Sequence, residues 1–228
     1  PITAICRCAF RDCKSLKEIA IPNSVTSIEP NAFENCESLV SITLPSSVSS
    51  IQSNAFQNCT SLERIIIPPS LNSIEEGAFY NCSSLKSINI QSNEQTFSEC
   101  SSQFVIPSSI NVIDRSVFYC CSKLTEIEIP SSVTSIMDLA FHGCKSLLKI
   151  KIPSTVTKIG SHAFSYCSLL QEITIPENVT KIEDGLFERC TSLKTIEIPS
   201  SVTLIGNSVF SGCTMLEHVK LPSSIEVI

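Results

Sequence analysis

Apolar residues recur along this chain with a period of 23, and residues 130–152 form one clear unit of the pattern. Within this unit the apolar side chains keep fixed distances from Pro130, at Val133, Ile136, Ala140, Phe141, Cys144, Leu147, Ile150 and Ile152. Residues 147–152 end in Ile150-x-Ile152, where every second side chain is apolar. This alternation predicts a short β-strand. Pro153 then begins the next unit.

The rest of the unit predicts a second short strand and a tight turn. Val133-Thr-Ser-Ile136 is rich in β-branched residues, which favour strands. Ala140-Phe141-x-x-Cys144 is too short for an independent helix and is typical of a 3₁₀ or α turn. One such unit cannot bury its apolar side chains alone, whereas stacked units form a continuous core. We therefore expect residues 1–228 to form a single elongated solenoid domain.

The period is broken once. The marker prolines are 23 residues apart, except for a spacing of 39 between Pro68 and Pro107. They lie at Pro22, Pro45, Pro68, Pro107, Pro130, Pro153, Pro176, Pro199 and Pro222. We interpret residues 91–106 as a shortened, irregular unit that bulges or kinks the solenoid, with Gln91 in place of the proline.

The repeat resembles a known family. Its pattern is Leu147-x-x-Ile150-x-Ile152-Pro153-x-x-Val156-x-x-Ile159-Gly160-x-x-Ala163-Phe164-x-x-Cys167. This is similar to the BspA-like class of leucine-rich repeats, and the likeness covers essentially all 228 residues. The resemblance implies a β-rich, right-handed superhelix of about ten 23-residue units, with a parallel concave β-sheet and with short strands and 3₁₀ or α turns on the convex side. It also implies a microbial protein, secreted or on the cell surface, that acts in adhesion and protein binding.

Composition limits the function further. The net charge is −6 and no basic cluster is present, which argues against nucleic acid as a partner. No run of 18 apolar residues exists that would insert into a membrane. Motifs of hydrolases, phosphate-binding loops and Rossmann domains are absent. The histidines, His142, His162 and His218, lie at different positions of the repeat, and we interpret them as solvated or loop residues. We expect a protein without enzymatic activity or cofactor.

Thirteen cysteines invite a disulfide or metal interpretation. Nine of them share one position of the repeat: Cys13, Cys36, Cys59, Cys82, Cys121, Cys144, Cys167, Cys190 and Cys213. A single column of stacked thiols does not converge on a metal, and free cysteine behaves as a small buried hydrophobe. We therefore predict a buried, reduced thiol column. Cys100 is out of register. Cys120 lies at a position expected to be exposed, and Cys6-x-Cys8 is only weakly suggestive of metal or redox chemistry.

Two further features bear on the context of the chain. Asn58, Asn81 and Asn178 each begin an Asn-x-Ser/Thr triplet, which matters only in a glycosylating secretory route. Residues 2–5 and 225–228 occupy the positions of an interrupted unit. We therefore expect a segment of a longer array, whose exposed core at each end would favour an end-to-end dimer.

The strand that ends each unit provides the candidate binding surface, because solenoids bind partners on the concave face. In the second half, Glu and Lys alternate from turn to turn and can neutralise one another. In the first half the outward residues are smaller and nearly neutral. Arginine and apolar anchors are typical of interface centres. We predict that a protein partner, or alternatively a glycan, contacts Ser41, Thr43, Arg64, Ile66, Ser87 and Asn89.

Two functions fit these features. The resemblance favours an adhesion or recognition module at the cell surface or outside the cell, binding a host, matrix or identical protein. Reduced thiols favour the alternative, a cytoplasmic scaffold that binds a protein such as an enzyme.

Overall fold

Each 23-residue unit forms one turn of a parallel β-solenoid. In a computed structural model that describes residues 1–90 and 106–226, these units stack into about nine turns, close to the ten counted in the sequence. All strand pairs are parallel and join equivalent residues of successive turns, as in Ile42 with Ile65. The predicted solenoid is therefore confirmed.

The strand that ends each unit forms the concave wall. Its side chains alternate between solvent and core, as in Lys149–Lys151, where only Ile150 is buried. The strands form three sheets, ordered β3-β5-β7, β9-β11-β13 and β15-β17. They are β3 (Ser41–Thr43), β5 (Arg64–Ile67), β7 (Ser87–Ile90), β9 (Glu126–Glu128), β11 (Lys149–Lys151), β13 (Glu172–Thr174), β15 (Thr195–Glu197) and β17 (His218–Lys220).

A second wall is built from two-residue strands at the Val-x-x-Ile segment. They form sheets ordered β1-β2-β4-β6, β8-β10-β12 and β14-β16. They are β1 (Ala4–Ile5), β2 (Ser27–Ile28), β4 (Ser50–Ile51), β6 (Ser73–Ile74), β8 (Val112–Ile113), β10 (Ser135–Ile136), β12 (Lys158–Ile159), β14 (Lys181–Ile182) and β16 (Leu204–Ile205). Only one residue of each pair is deeply buried, and the less buried one is serine or lysine except at Ala4, Val112 and Leu204.

The Ala-Phe-x-x-Cys segment joins the two walls as a tight turn. Within it the backbone N–H of Cys144 donates to the carbonyl of Phe141, a three-residue hydrogen bond of 3₁₀ type. The phenylalanine side chains point inward and stack on one another, with ring centroids 5.2 Å apart for Phe33 and Phe56. Both rings are fully buried. Burial of one such ring contributes about 1.5–3 kcal/mol, so the column is a major part of the core.

The break in the period adds no layer to this column. Although Phe79 and Phe118 are 39 residues apart, their rings stack directly at 6.0 Å. The backbone N–H of Asn81 donates to the carbonyl of Tyr119 in the same way. On this side of the solenoid the two turns are therefore direct neighbours. The predicted bulge at residues 91–106 lies, apart from Ile106, outside the described residues.

Candidate functional site

The concave sheet brings the predicted partner-binding residues into two rows. Arg64 lies in register between Ser41 and Ser87, and Ile66 is paired on one side with Thr43. On the other side Ile66 is paired with Asn89 through the β5–β7 ladder. Ser41, Thr43 and Arg64 are exposed, whereas Ser87 and Ile66 are partly buried. The six predicted residues are thus brought together on one face; whether they bind a partner stays a prediction.

Arg64 is the charged centre of this face. Its acidic neighbour in sequence, Glu63, instead forms an ion pair of 3.0 Å with Lys86. Within the described residues no carboxylate pairs with the Arg64 guanidinium. Its five N–H donors are therefore available to a partner, in a planar arrangement suited to carboxylates.

The second half of the concave face has the predicted ladder of alternating charges. Lys149 lies in register between Glu126 and Glu172, and Lys151 opposite Glu128. Lys149 Nζ is 3.9 Å from a Glu126 carboxylate oxygen, and both side chains are largely exposed. A shallow trough of about 590 Å³ lies over this ladder. Sequence reasoning, which weighed residue types alone, did not find this trough.

The periodic thiols form the predicted column, which is buried from Cys36 to Cys190, whereas Cys13 is exposed and Cys213 is partly exposed. The structure adds a bond that the sequence did not suggest. Each thiol from Cys36 to Cys213 donates a hydrogen bond from Sγ to a phenylalanine carbonyl of the preceding turn, as from Cys59 to Phe33 at 3.1 Å. Burial raises the pKa of Cys36 to about 11 and that of Cys167 to about 12. Such thiols stay protonated at neutral pH, so the column is structural rather than reactive.

The cysteines outside the column differ in exposure. Cys6 is exposed, and Cys8 and Cys120 are partly exposed. The expectation that Cys120 is exposed is therefore only partly met: burial raises its pKa, and its Sγ lies 2.9 Å from where a Cβ on Gly143 would be. Cys100 lies outside the described residues. Among the described residues, no group of three or more His, Cys, Asp or Glu side chains could hold a metal ion.

Two of the three Asn-x-Ser/Thr triplets contribute to an amide ladder. Asn58 Nδ2 donates to Asn35 Oδ1 at 2.9 Å, and Asn81 Nδ2 donates to Asn58 Oδ1 at 2.9 Å. All three residues have positive φ, between 55° and 59°, a conformation that asparagine tolerates better than most residues. Asn178 is exposed outside the ladder. The amides of Asn58 and Asn81 thus hold neighbouring turns together.

A row of aromatic side chains lies on the turn side of the solenoid, away from the concave sheet. Tyr119 stacks between Tyr80 and His142, with ring centroids 4.4 Å and 4.5 Å away. Tyr166 continues the row at 5.1 Å from His142, and the Arg189 guanidinium lies over its ring at 5.4 Å. We call these five residues the aromatic edge. Sequence reasoning missed it, although Tyr80, Tyr119 and His142 share one position of the repeat.

The histidines are not all the solvated or loop residues expected from the sequence. His142 is half-buried, and its Nδ1 lies 2.6 Å from Ser165 Oγ, which itself donates to the carbonyl of His162. Burial, followed by the nearby His162, lowers the pKa of His142, so the ring is neutral at pH 7. His162 lies 3.4 Å from a Glu188 oxygen, and His218 is exposed on β17.

The repeat decides the family. Residues 1–103 and 111–228 match the family model for the BspA type leucine-rich repeat region, which is present in six copies. The chain belongs to the BspA-type leucine-rich repeat family. A comparison with curated proteins found no match.

Solved structures of bacterial leucine-rich repeat proteins resemble this BspA-type solenoid. One from Bacteroides ovatus is 33% identical with a TM-score of 0.72, over 82% of this chain and 46% of that chain. One from T. pallidum is 29% identical with a TM-score of 0.65, over 78% of each chain. One from Eubacterium ventriosum is 25% identical with a TM-score of 0.59, over 98% of this chain and 71% of that chain. The chain thus spans about half the length of the Bacteroides protein.

BspA-type repeats in this chain are built from strands and turns. In residues 1–90 and 106–226 there is no helix with the length and hydropathy needed to cross a membrane.

Proposed function

We propose that this BspA-type solenoid is a non-enzymatic protein-binding module, displayed at a microbial cell surface or secreted, whose partner contacts the first half of the concave face. The contact residues are Ser41, Thr43, Arg64, Ile66, Ser87 and Asn89. The observation that carries the proposal is the Arg64 guanidinium, which has no carboxylate partner among the described residues and lies two residues from Ile66 on β5.

Physical chemistry favours this face over the charge ladder of the second half. An unpaired guanidinium beside an apolar side chain supplies directional donors together with apolar area, and arginine is enriched among residues that dominate binding energy. Lys149, in contrast, is flanked by Glu126 and Glu172 in register. A partner would have to compete with both carboxylates for the lysine. The trough over this ladder is the second candidate surface.

One observation supports the alternative, a cytoplasmic scaffold that binds a protein such as an enzyme. The described cysteines are free thiols, and unpaired thiols are commoner in reducing compartments. Buried thiols are also protected from oxidation by their packing, so the column is compatible with the surface as well. Protease treatment of intact cells separates the two locations. Loss of the immunodetected protein supports surface display, whereas protection until the cells are lysed supports the scaffold.

The binding test compares two charge-altered pairs on the same sheet. Biotinylated wild type is incubated with extracellular-matrix and cell-surface protein fractions and with a glycan array. We expect Arg64→Glu with Ile66→Asp to abolish capture of protein while leaving the circular dichroism unchanged. The matched control is Lys149→Glu with Lys151→Glu, which should bind as wild type. Loss in the control alone would move the site to the trough, and binding to glycans alone would replace the protein partner by a carbohydrate.

Oligomeric state is measured on the same samples. Met215, Val219 and Leu221, near the last described turn, are between 39% and 47% exposed, so an end-to-end dimer would bury apolar area there. Light scattering at several concentrations tests this part of the proposal, and a constant monomer mass would contradict it.

A further inference from the structure

The aromatic edge concentrates residue types that are rare in this chain. The sequence has three tyrosines and no tryptophan, and all three tyrosines, Tyr80, Tyr119 and Tyr166, belong to the edge. His142 lies within it, and Ser165 Oγ links its Nδ1 to the backbone carbonyl of His162 through two hydrogen bonds. The core does not need these residues, because the phenylalanine column already fills it.

The stacking leaves a particular part of each ring to solvent. Tyr80 and Tyr119 lie 2° from parallel, and Tyr119 and His142 lie 6° from parallel, so the faces between these rings are occupied by one another. What remains accessible is ring edges, which carry partial positive charge, and hydroxyl groups. Tyr166 is 36% exposed.

One cation contacts these rings, since the Arg189 guanidinium lies 5.4 Å from the centre of the Tyr166 ring. A second, Lys145, follows His142 by three residues in the chain, and its carbonyl accepts the backbone N–H of Leu169 on the next turn. Neither cation has a carboxylate partner within the described part of the chain. The nearest acid in sequence to Arg189 is Glu188, and it contacts His162 instead. Arg189 and Lys145 together outnumber the one carboxylate at the edge, Glu188, which also acts electrostatically on His142, so the edge keeps an excess of positive charge on a chain whose net charge is −6.

An exposed apolar side chain, that of Leu169, belongs to the turn next to Lys145. Leu169 is 46% exposed, and its backbone N–H donates to the carbonyl of Lys145 at 3.2 Å. Lys145 and Leu169 are therefore neighbours on successive turns. Tyrosine, arginine and exposed apolar area together are the composition of protein interfaces, whereas lysine and glutamate dominate ordinary surfaces.

We propose that the aromatic edge, with Lys145 and Leu169, is a second binding surface of this solenoid and that it takes an acidic peptide segment of a partner protein. The surface offers mainly hydrogen-bond donors and positive charge, so it complements carboxylates and backbone carbonyls. The inference does not depend on the concave face, which is a different wall of the solenoid.

A single-stranded nucleic acid is the competing polyanion, and the geometry disfavours it. Such ligands stack their bases on open aromatic faces, but here the faces between neighbouring rings are already occupied. Two unpaired cations, Lys145 and Arg189, also provide few phosphate contacts on a chain with a net charge of −6. A short acidic peptide needs fewer cations and gains from the apolar contact with Leu169.

Tyrosine fluorescence tests the proposal without a label. Because the chain has no tryptophan and its three tyrosines all lie on the edge, its intrinsic emission reports on this surface alone. The probes are short poly-L-glutamate, poly-L-lysine and oligothymidylate, titrated into the whole chain at low and physiological salt. We expect a saturable change with poly-L-glutamate only, weaker at higher salt.

Charge reversals locate the binding. Arg189→Glu with Lys145→Glu should weaken the affinity for poly-L-glutamate by at least about tenfold, which corresponds to about 1.4 kcal/mol. The matched control, Lys151→Glu with Lys158→Glu, removes the same charge from two exposed lysines on other walls and should stay within about twofold of wild type. Arg64→Glu with Ile66→Asp should have no effect on this titration, which separates the inference from the concave-face proposal.

Three outcomes would overturn the inference. One is the absence of a saturable change with poly-L-glutamate. The second is a response to oligothymidylate alone, which would assign the edge to nucleic acid. The third is an equal loss of affinity for poly-L-glutamate in the control, Lys151→Glu with Lys158→Glu. That result would show that the peptide is attracted by the net charge of the chain and not by this surface.

Discussion

Cys167 Sγ donates a hydrogen bond to the carbonyl oxygen of Phe141, 3.3 Å away on the preceding turn. The same carbonyl also accepts the backbone N–H of Cys144 within its own turn. The thiol therefore does two things in a fully buried position: it fills the space beside the phenylalanine column and gives a second donor to a buried carbonyl. The same thiol hydrogen bond recurs in every described turn from Cys36 onward, so it links each turn to the one before.

Replacement of Cys167 by alanine should destabilise the solenoid by about 1–2 kcal/mol. The change removes a weak hydrogen bond and leaves a small cavity, while the Phe141 carbonyl keeps its backbone donor. Urea unfolding followed by far-ultraviolet circular dichroism measures the shift in midpoint. Cys6→Ala, at an exposed thiol, is the matched control and should change stability by less than about 0.5 kcal/mol. Equal effects of the two substitutions would contradict a specific role for the column.

The thiol column should also make the solenoid sensitive to alkali. Burial raises the pKa of Cys36 from 9.0 to about 11 and that of Cys167 from 9.0 to about 12. In the unfolded chain the thiols ionise from about pH 9 upward, while in the folded chain they stay protonated. Above that pH the unfolded chain binds fewer protons, so the free energy of unfolding falls as the pH rises. Below it, the contribution of the column is complete.

Urea midpoints in the presence of a reductant, measured from about pH 7.5 to about pH 10.5, check this dependence. The midpoint should be constant at first and then decline, and Cys167→Ala should reduce the slope of the decline. A midpoint that does not change over this range would show that the buried thiols ionise equally in the folded and unfolded chains.

The repeat made most of the fold predictable, because each turn repeats one set of apolar positions. The alternation at Ile150 and Ile152 predicts the concave strand, and the position of Cys144 predicts burial; both predictions are confirmed. The aromatic edge was not predictable in the same way. Tyr80 and Tyr119 are 39 residues apart, and the broken period hides that their turns are direct neighbours.

Features that depend on bonds between turns were also missed. In the sequence Asn58 and Asn81 stand out only as Asn-x-Ser/Thr triplets, and only the structure shows that their amides bond to one another. The trough over the charge ladder is formed jointly by three neighbouring strands, β9, β11 and β13, and residue types alone do not specify it. Sequence patterns thus define the layers, while contacts between layers need the structure.

The amide ladder should contribute to stability through Asn58. Asn58→Ala removes a hydrogen bond to Asn35 and another from Asn81, and it places a side chain without polar atoms at a φ of 58°. We expect a loss of about 2–3 kcal/mol, since each bond contributes about 1 kcal/mol and the left-handed conformation adds strain. Asn58→Gly relieves the strain and should lose only the part due to the amide.

Chemical denaturation of Asn58→Ala and Asn58→Gly measures the contribution of the amide hydrogen bonds and that of the backbone strain separately. Asn72→Ala, at an exposed asparagine outside the ladder, is the control and should be close to neutral. If Asn58→Gly were as stable as wild type, the amide bonds would add nothing and the asparagines would serve only the backbone conformation.

The ion pairs of this solenoid should contribute more to its stability where the charged side chains are buried. Lys149 and Glu126 are 3.9 Å apart with side chains 77% and 42% exposed, so Lys149→Ala should change stability by less than about 0.5 kcal/mol. Glu34 is buried, accepts a bond from Arg11 Nε at 3.1 Å and another from Asn31 Nδ2 at 2.9 Å. Glu34→Ala should therefore cost about 1–3 kcal/mol, because two donors lose a charged acceptor.

Unfolding at low and high salt checks this order of the two effects: the small effect at Lys149 should vanish with salt, while the effect at Glu34 should persist. A larger loss at Lys149 than at Glu34 would mean that the concave charge ladder stabilises the fold and is not an ordinary solvated surface.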